Sequence, residues 1–268
     1  MNGGIANKVG GNWMTIFASD LDNTLIFSYK KKFQHGICVE QKDGKALSYM
    51  TPRAYQQLQD IVKQMFFLPV TTRSEEQYRR IRLLKAGDPS YALVSNGGTL
   101  LVNGKVDALW RQQTLAQIEN CREDLERALE VLQQDPFVTT PGRLVDEVFV
   151  FAKTSHFART AASLTSTLNL QRVKIERHGE KLYVLPLVLS KGNALQRFCK
   201  RLQREVVVAA GDSIFDLSML LVADVAIAPA GSMVAAGLAQ KAQVFLPQGD
   251  EVTFGEMVLE YVQNVFIK

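Results

Sequence analysis

Short apolar segments alternate with amphipathic stretches along the N-terminal part of the chain. Three runs have the length and the continuous apolar character of strands that are buried on both faces: "TIFAS" (15–19), "FFLPVTT" (66–72) and "YALVSNGG" (91–98). Thr51 followed by Pro52 predicts the start of a helix between the first two strands, and Ser74 predicts another after the second. Strands that alternate with helices in this way indicate a parallel sheet.

The alternation stops near residue 109 and returns near residue 188. Within the interruption we expect one long amphipathic helix at 112–134, a strand at 143–153, a helix at 156–168 and a hairpin at 171–187 that turns at His178–Gly179. After the interruption, a helix and three strand-like runs restore the first pattern: "EVVVAAGD", "DVAIAP" and "QVFLP".

The predicted fold class is therefore α/β: a doubly wound, mostly parallel sheet, which is a Rossmann-like core, with an inserted α+β domain. We expect a loose leader at 1–13, with Met14 as a possible alternative start, a core made of 14–108 and 188–268, and the insert at 109–187. In the core, Asp43–Gly44 predicts a hairpin over 34–48 that acts either as a flap at the site entrance or as a contact in a homodimer.

Composition argues against several classes of function. The 268 residues are 47% hydrophobic and 22% charged, and the formal charge of +4 is scattered, with "YKKKF" (29–33) as its tight cluster. The chain thus lacks the basic stripe of a nucleic-acid-binding protein. No apolar stretch reaches the roughly 18 residues of a membrane span, and the N-terminus lacks the apolar run of a signal peptide, so we expect no membrane partner. The distant cysteines Cys38, Cys121 and Cys199 form no CxxC pattern and fit a reduced, cytoplasmic location.

Polar residues stand at the carboxyl ends of four predicted core strands. They are Asp20, Thr71, Asn96 and Asp212. Open α/β sheets bind their ligands at this edge, so the four positions predict a site there. A turn alone would explain any one of these residues, but not all four.

Four short segments follow one another along the chain, and each lies at a predicted element boundary: "DLDNT" (20–24), "TTR" (71–73), "SKG" (190–192) and "GDSIFD" (211–216). In these segments and their order the chain resembles the haloacid dehalogenase-like hydrolase superfamily. The insertion point resembles that of the members with a type II cap, including the Cof-like and sucrose-phosphate phosphatases. The resemblance implies that the insert is a cap domain.

The resemblance also implies roles for the residues of these segments. Asp20 would attack phosphorus and form an aspartyl phosphate, and Asp22 would act as general acid and base. Thr71 would donate a hydroxyl hydrogen bond and Lys191 would add positive charge. Mg²⁺ would be held by Asp20, the Asp22 carbonyl and Asp212.

Further residues are expected around this centre. Asp216, Arg73 and Ser213 are candidates for supporting positions, with Asp216 bracing Lys191 or a metal-bound water. The candidates for substrate contacts are Asn96, which is equally explained by turn chemistry, and the cap residues Arg143, Arg177 and Lys181.

The predicted function is that of a Mg²⁺-dependent phosphomonoester hydrolase acting on a small phosphorylated metabolite such as a sugar phosphate. The dehalogenase branch typically lacks the second aspartate, so Asp22 favours phosphoryl transfer. A phosphomutase of the phosphomannomutase type shares the aspartate pair and the cap and is the alternative. A non-catalytic binding module on the same fold is the third hypothesis.

Overall fold

The computed structural model describes residues 8–9, 12–13, 15–31, 35–203, 206–238, 243–246 and 252–267. Contacts divide the chain into two compact units, one made of 1–105 and 191–268 and the other of 106–190, whereas the sequence predicted an insert at 109–187. Within the predicted leader the structure describes one antiparallel pair, Lys8–Val9 (β1) with Asn12–Trp13 (β2). The rest of the leader and Met14 lie outside the described residues.

The elements before the insert share a pattern of strands joined by short helices. They are β3 Thr15–Ser19, β4 Phe27–Ser28, β5 Ile37–Lys42, β6 Lys45–Met50, α1 Pro52–Ile61, β7 Phe66–Pro69, α2 Glu75–Tyr78, β8 Tyr91–Val94, a 3₁₀ turn Ser95–Gly97, β9 Thr99–Val102 and β10 Lys105–Val106. Thr51 caps α1 with Pro52 in its first turn, and Ser74 caps α2, as the sequence predicts.

The insert combines helices with an antiparallel sheet. Its elements are α3 Ala108–Ile118, a 3₁₀ turn Glu119–Cys121, α4 Arg122–Gln134, β11 Val138–Val145, β12 Phe149–Thr154, α5 Phe157–Thr167, β13 Val173–His178 and β14 Lys181–Pro186. The elements that follow return to alternation. They are α6 Lys191–Leu202, β15 Val206–Ala210, α7 Leu217–Val222, β16 Val225–Pro229, α8 Met233–Gly237, β17 Gln243–Leu246 and α9 Phe254–Phe266.

A five-stranded parallel sheet in the order β17-β16-β15-β3-β7 forms the centre of the larger unit. Every residue of β3 is buried, as expected for a strand covered on both faces. On one face Phe17 shares a hydrophobic cluster with Leu58 of α1 and Leu259 of α9. The predicted α/β class with a mostly parallel sheet and an α+β insert is confirmed.

Two predictions inside the insert are wrong. The single helix expected at 112–134 is broken by the 3₁₀ turn Glu119–Cys121, so α3 and α4 each bury a stripe of their own. The strand expected at 143–153 is divided between β11 and β12 by Asp146 and Glu147, whose φ angles of 43° and 61° are left-handed. Two successive left-handed residues reverse the chain as a tight hairpin turn does.

The hairpin predicted around Asp43–Gly44 is present as β5 and β6. Asp43 and Gly44 have φ angles of 51° and 73°, the left-handed geometry that such a turn requires. Backbone contacts hold the hairpin on the core, because the N–H of Arg82 donates to the carbonyl of Val39 at 2.7 Å.

Among the described residues, no helix is both long and apolar enough to cross a membrane. The three cysteines are free thiols.

Candidate active site

The site is built at the carboxyl end of the central parallel strands. Asp20 follows β3, and its backbone N–H donates to the carbonyl of Ala210 at the end of β15 at 2.9 Å. On the other side of β3, the N–H of Val70 donates to the carbonyl of Ser19 at 2.8 Å, so Thr71 follows at the same edge. Asp212, two residues beyond β15, joins them there.

A buried ion cluster links Asp20 to the start of α6. The ammonium group of Lys191, 1% exposed, donates to Oδ1 of Asp20 at 2.5 Å and to Oδ1 of Asp216 at 2.6 Å. Burial and the neighbouring charges of Asp216 and Asp212 raise the pKa of Asp20, and Lys191 offsets only part of that effect. Burial alone would lower the pKa of Lys191, but the two carboxylates raise it and keep the ammonium charged. The cluster therefore places three carboxyl groups around one ammonium group.

Both carboxylate oxygens of Asp216 accept hydrogen bonds from the protein. Its Oδ1 accepts from Lys191, and its Oδ2 accepts from the N–H of Asp212 at 3.1 Å and from the N–H and hydroxyl of Ser213 at 2.9 and 2.8 Å. Asp216 thus braces both the lysine and the loop that carries Asp212, and Ser213 contributes to that brace.

Two glycines permit the close approach of these elements. A Cβ added at Gly211 would lie 2.4 Å from Cβ of Asp216, and one at Gly192 would lie 2.3 Å from the backbone oxygen of Ser218 on α7. Real Cβ atoms essentially never lie within 3.0 Å of a heavy atom outside their own residue and its chain neighbours. Neither glycine was predicted from the sequence to have a role of its own.

Carboxylate oxygens of Asp20, Asp212 and Asp216 lie within 4.8 Å of one another. Because Asp216 is used by Lys191 and the loop, the donor set that fits a hard divalent cation is Asp20 with Asp212. Burial and the charge of Asp216 raise the pKa of Asp212 to about 7. The hydroxyl of Thr24 donates to Oδ1 of Asp212 at 2.9 Å and orients this carboxylate.

Asp22 is held by an arginine. The guanidinium of Arg73 donates through Nε to Oδ2 of Asp22 at 2.7 Å and through Nη2 to Oδ1 at 2.8 Å. The third nitrogen, Nη1, lies 2.8 Å from Oε1 of Glu40 on β5. Burial alone would raise the pKa of Glu40, but hydrogen bonds from Arg73 and Ser48 and the charges of Arg73 and Arg80 bring it below its usual value.

The conformation of the aspartate loop, residues 20–24, depends on one left-handed residue and on the contact with α9. Asn23 adopts a left-handed φ of 60°, a conformation that asparagine tolerates well. Gly255 at the start of α9 packs against the loop so closely that an added Cβ would lie 2.7 Å from the carbonyl oxygen of Thr24. The next residue, Glu256, accepts a hydrogen bond from the hydroxyl of Thr51, the cap of α1.

The family model for sucrose-6F-phosphate phosphohydrolase matches residues 14–244. The chain belongs to this family. The predicted resemblance to haloacid dehalogenase-like phosphatases with a type II cap is confirmed, and with it the prediction of a phosphatase. As a member of the sucrose-6F-phosphate phosphohydrolase family, the chain is expected to use a divalent cation, in agreement with its carboxylate cluster.

Solved structures share the fold of this family member at low sequence identity. The sucrose-phosphatase of Synechocystis sp. PCC6803, solved in complex with sucrose and phosphate, matches with a TM-score of 0.63 and 15% identity over 94% of this chain and 97% of that one. A phosphatase of the same superfamily from Bacteroides thetaiotaomicron matches with a TM-score of 0.55 and 13% identity over 94% of both chains. A subclass IIB sugar phosphatase matches with a TM-score of 0.54 and 13% identity over 93% and 98%. Such identities support the fold alone, and no curated protein matches the sequence significantly.

The remaining core candidates of this phosphohydrolase family member lie beside the cluster. The hydroxyl of Thr71 accepts from the N–H of Arg73 at 3.2 Å, and the carbonyl of Thr71 accepts from the N–H of Asn96 at 3.0 Å. Asn96 is buried with a left-handed φ of 59° in the 3₁₀ turn, which packs against α6.

The cap candidates divide between the two faces of the insert sheet, whose strand order is β11-β12-β14-β13. Leu182 and its neighbours pack under α4 and α5 on one face. Arg177 pairs with Leu182 and lies 5.2 Å from the ring of Phe157 on α5, so it belongs to that face. Arg143 lies over the ring of Phe151 on the opposite face, at 5.3 Å.

Lys181 shares the face of Arg143. It is two residues from Tyr183 on β14, and the Tyr183 ring contacts that of Phe151 at 5.3 Å. The structure therefore brings Arg143 and Lys181 to one face and Arg177 to the other. Substrate contact by any of the three stays a prediction.

Three residues of the site were not predicted from the sequence: Glu40, Ser48 and Thr24. Glu40 and Ser48 lie on strands whose sequences carry no motif, and their side chains reach the site only through the folding of the β5–β6 hairpin. Thr24 lies within the "DLDNT" segment, so its place two residues after Asp22 could have indicated that it belongs to the site.

Proposed function

We propose that this phosphatase hydrolyses the phosphomonoester of a small sugar phosphate, with Mg²⁺ as its cation and with an aspartyl phosphate formed at Asp20. The observation that supports this most strongly is the buried contact of Lys191 with both Asp20 and Asp216 at the carboxyl end of the sheet. A buried ammonium group next to the nucleophile offsets part of the repulsion that a phosphate dianion meets among carboxylates.

The chain's residues divide the reaction into two displacements. In the first, an oxygen of Asp20 bonds to phosphorus while the bond from phosphorus to the sugar oxygen breaks, and Asp22 gives its proton to that oxygen. In the second, water attacks phosphorus, gives a proton to Asp22 and displaces Asp20, so that inorganic phosphate leaves and both aspartates return to their starting states. Mg²⁺ at Asp20, Asp212 and the Asp22 carbonyl would neutralise charge on the phosphate oxygens.

Other residues hold these groups in place. Lys191 contacts the nucleophile, Asp216 and Ser213 fix Lys191 and the Asp212 loop, and Thr71 offers its hydroxyl at the same edge. Preorganised charge of this kind is the main source of catalysis in phosphoryl transfer. A cytoplasmic location and a homodimer stay predictions.

The test is release of inorganic phosphate from a panel of sugar monophosphates, with MgCl₂ and with EDTA. We expect phosphate release with MgCl₂ but not with EDTA. In Asp20→Asn the rate of phosphate release should fall about a thousandfold because the nucleophile is gone. Asp60→Asn, which changes a partly exposed aspartate of α1 that pairs with Lys63, is the matched control and should keep full activity.

Two results would contradict the proposal. Phosphate release that survives in Asp20→Asn would exclude the aspartyl phosphate. Interconversion of sugar monophosphates without phosphate release would favour the phosphomutase instead.

A further inference from the structure

The β5–β6 hairpin carries a buried carboxylate that the proposed reaction does not use. Glu40 is 2% exposed, and its Oε2 accepts from the hydroxyl of Ser48 at 2.6 Å while Oε1 faces Arg73. Burial of a carboxylate is costly unless partners compensate it. Attachment of the hairpin does not explain this cost, because backbone contacts between 39–40 and 81–82 already hold the strand.

Arg73 joins this carboxylate to Asp22. Its Nε and Nη2 hold the two oxygens of Asp22, and Nη1 holds Glu40, so three nitrogens of one rigid plane are engaged at once. The plane cannot turn about the Asp22 contact without breaking the Glu40 contact. The side chain of Arg73 is 13% exposed, whereas that of Asp22 is 47% exposed. A half-exposed carboxylate turns readily unless a fixed partner holds it.

We propose that Glu40 is a positioning residue for phosphoryl transfer: by anchoring Arg73, it fixes the orientation in which Asp22 exchanges a proton with the leaving oxygen. This inference rests on the proposed function and assigns the hairpin a role in it. Ser48 assists by holding the other oxygen of Glu40. Arg80, whose Nη2 is 3.3 Å from Oε1 of Glu40, adds charge from the flank.

The inference predicts that the defect depends on the leaving group. A sugar alkoxide needs the proton of Asp22 as it departs, whereas p-nitrophenolate leaves without one. In Glu40→Gln we expect release of the sugar, measured in a single turnover with enzyme in excess, to slow about tenfold because Asp22 is misplaced. Release of p-nitrophenolate should keep its rate, and KM for the sugar phosphate should stay within about twofold.

Two single variants and one double variant separate positioning from a purely structural role. Glu76→Gln changes an exposed glutamate that pairs with Arg80 from the solvent side, and both rates should stay unchanged. Arg73→Ala should show the same selective defect as Glu40→Gln, and the double variant should be no slower than Arg73→Ala, because Glu40 acts through that arginine.

Several outcomes would overturn the inference: unchanged rates in Glu40→Gln, equal losses with both substrates, or additive losses in the double variant. If Glu40→Gln does not fold, Ser48→Ala leaves the ion pair intact and should show the same selectivity in a milder form; equal rates for both substrates there overturn it as well. Failure of the proposed function looks different, because then the unaltered protein releases no phosphate or Asp20→Asn stays active.

Discussion

Lys191 is the residue that compensates the negative charge of Asp20 and Asp216 in the buried cluster. Its ammonium group contacts Asp20 and Asp216 at once and is almost completely buried. A buried charge that loses its partner costs about 3–5 kcal/mol, far more than a surface ion pair. We therefore expect both the stability of the fold and the proposed reaction at Asp20 to depend on this one nitrogen atom.

Lys191→Met should lower the free energy of unfolding by about 3–5 kcal/mol and abolish phosphate release, because two buried carboxylates lose their cation. Urea denaturation and the phosphate assay measure the two effects. Adding Asp216→Asn should restore part of the stability without restoring activity. A double variant as unstable as Lys191→Met would show that charge is not the cause.

Asp212 predicts a pH dependence of metal binding. In the folded, metal-free protein the pKa of Asp212 is raised to about 7, so between pH 7 and the ordinary aspartate range this carboxyl keeps a proton that the unfolded chain releases. Protonation of Asp212 therefore contributes stability that is present at low pH and is lost as pH rises through 7. The cation has to displace that proton, so apparent Mg²⁺ affinity should fall about tenfold from pH 8 to pH 6. Thermal denaturation with and without MgCl₂ should show the larger rise in Tm at pH 8, and Asp212→Asn should show a much smaller rise at either pH.

At the scale of elements, the position of Lys191 depends on how closely α6 approaches α7. Gly192 permits that approach, and its N–H donates to the hydroxyl of Ser218 at 3.1 Å. The residue that follows Lys191 on α6 is thus a packing contact, so a shift of the helix moves the ammonium group.

Gly192→Ala should destabilise the protein by about 1–3 kcal/mol, despite the better helix propensity of alanine, and should lower kcat by displacing Lys191. Gln196→Ala, at an exposed position of the same helix, is the control and should change neither. Circular dichroism and the phosphate assay measure both quantities. A stable and fully active Gly192→Ala would mean that α6 and α7 can separate at no cost to the site.

The elements that the sequence predicts well are those whose apolar residues follow one clear pattern. The strand at 15–19 is buried throughout and agrees with the observed β3 residue by residue. The break at Glu119–Cys121 was not predictable in this way, because the apolar spacing on either side of it continues as one helical stripe. The divided strand at 143–153 escaped for a similar reason: Asp146 and Glu147 are ordinary polar residues until a turn places them left-handed.

The site, too, can be predicted only where the sequence carries a recognisable pattern. The recognisable segments contain Asp20, Asp212, Asp216 and Lys191, and the structure brings these four residues together. Glu40 has no such segment, and its link to Asp22 passes through Arg73, which is distant from both in sequence. Contacts between motif residues can be expected in advance, but contacts that begin in a strand without a motif require the fold.

At the scale of the whole molecule, the two units carry different chemistry. The larger unit holds the ion cluster, whereas in the insert Arg143 lies over the ring of Phe151, on the sheet face that Lys181 shares. Cationic side chains near an aromatic ring suit a polar ligand that also has apolar faces, as sugars do.

Arg143→Ala and Lys181→Ala should each raise KM for sugar monophosphates by about tenfold, the effect of one charged hydrogen bond, while turnover of acetyl phosphate, which has no sugar, stays the same. Arg177→Ala, on the face covered by α4 and α5, is the control and should leave KM unchanged. Steady-state kinetics on both substrates decide the matter. Equal changes in all three variants would contradict a substrate role for one face.

The support that α9 gives to the aspartate loop affects when the enzyme becomes competent during its synthesis. Gly255 contacts Thr24 across almost the whole length of the sequence, and α9 follows Asp20, Lys191 and Asp212 in chain order. A nascent chain whose residues 254–266 are still in the ribosomal exit tunnel holds all the charged groups but lacks the helix behind their loop. We therefore expect the protein to release phosphate only once residues 254–266 have left the tunnel and α9 has packed behind the aspartate loop.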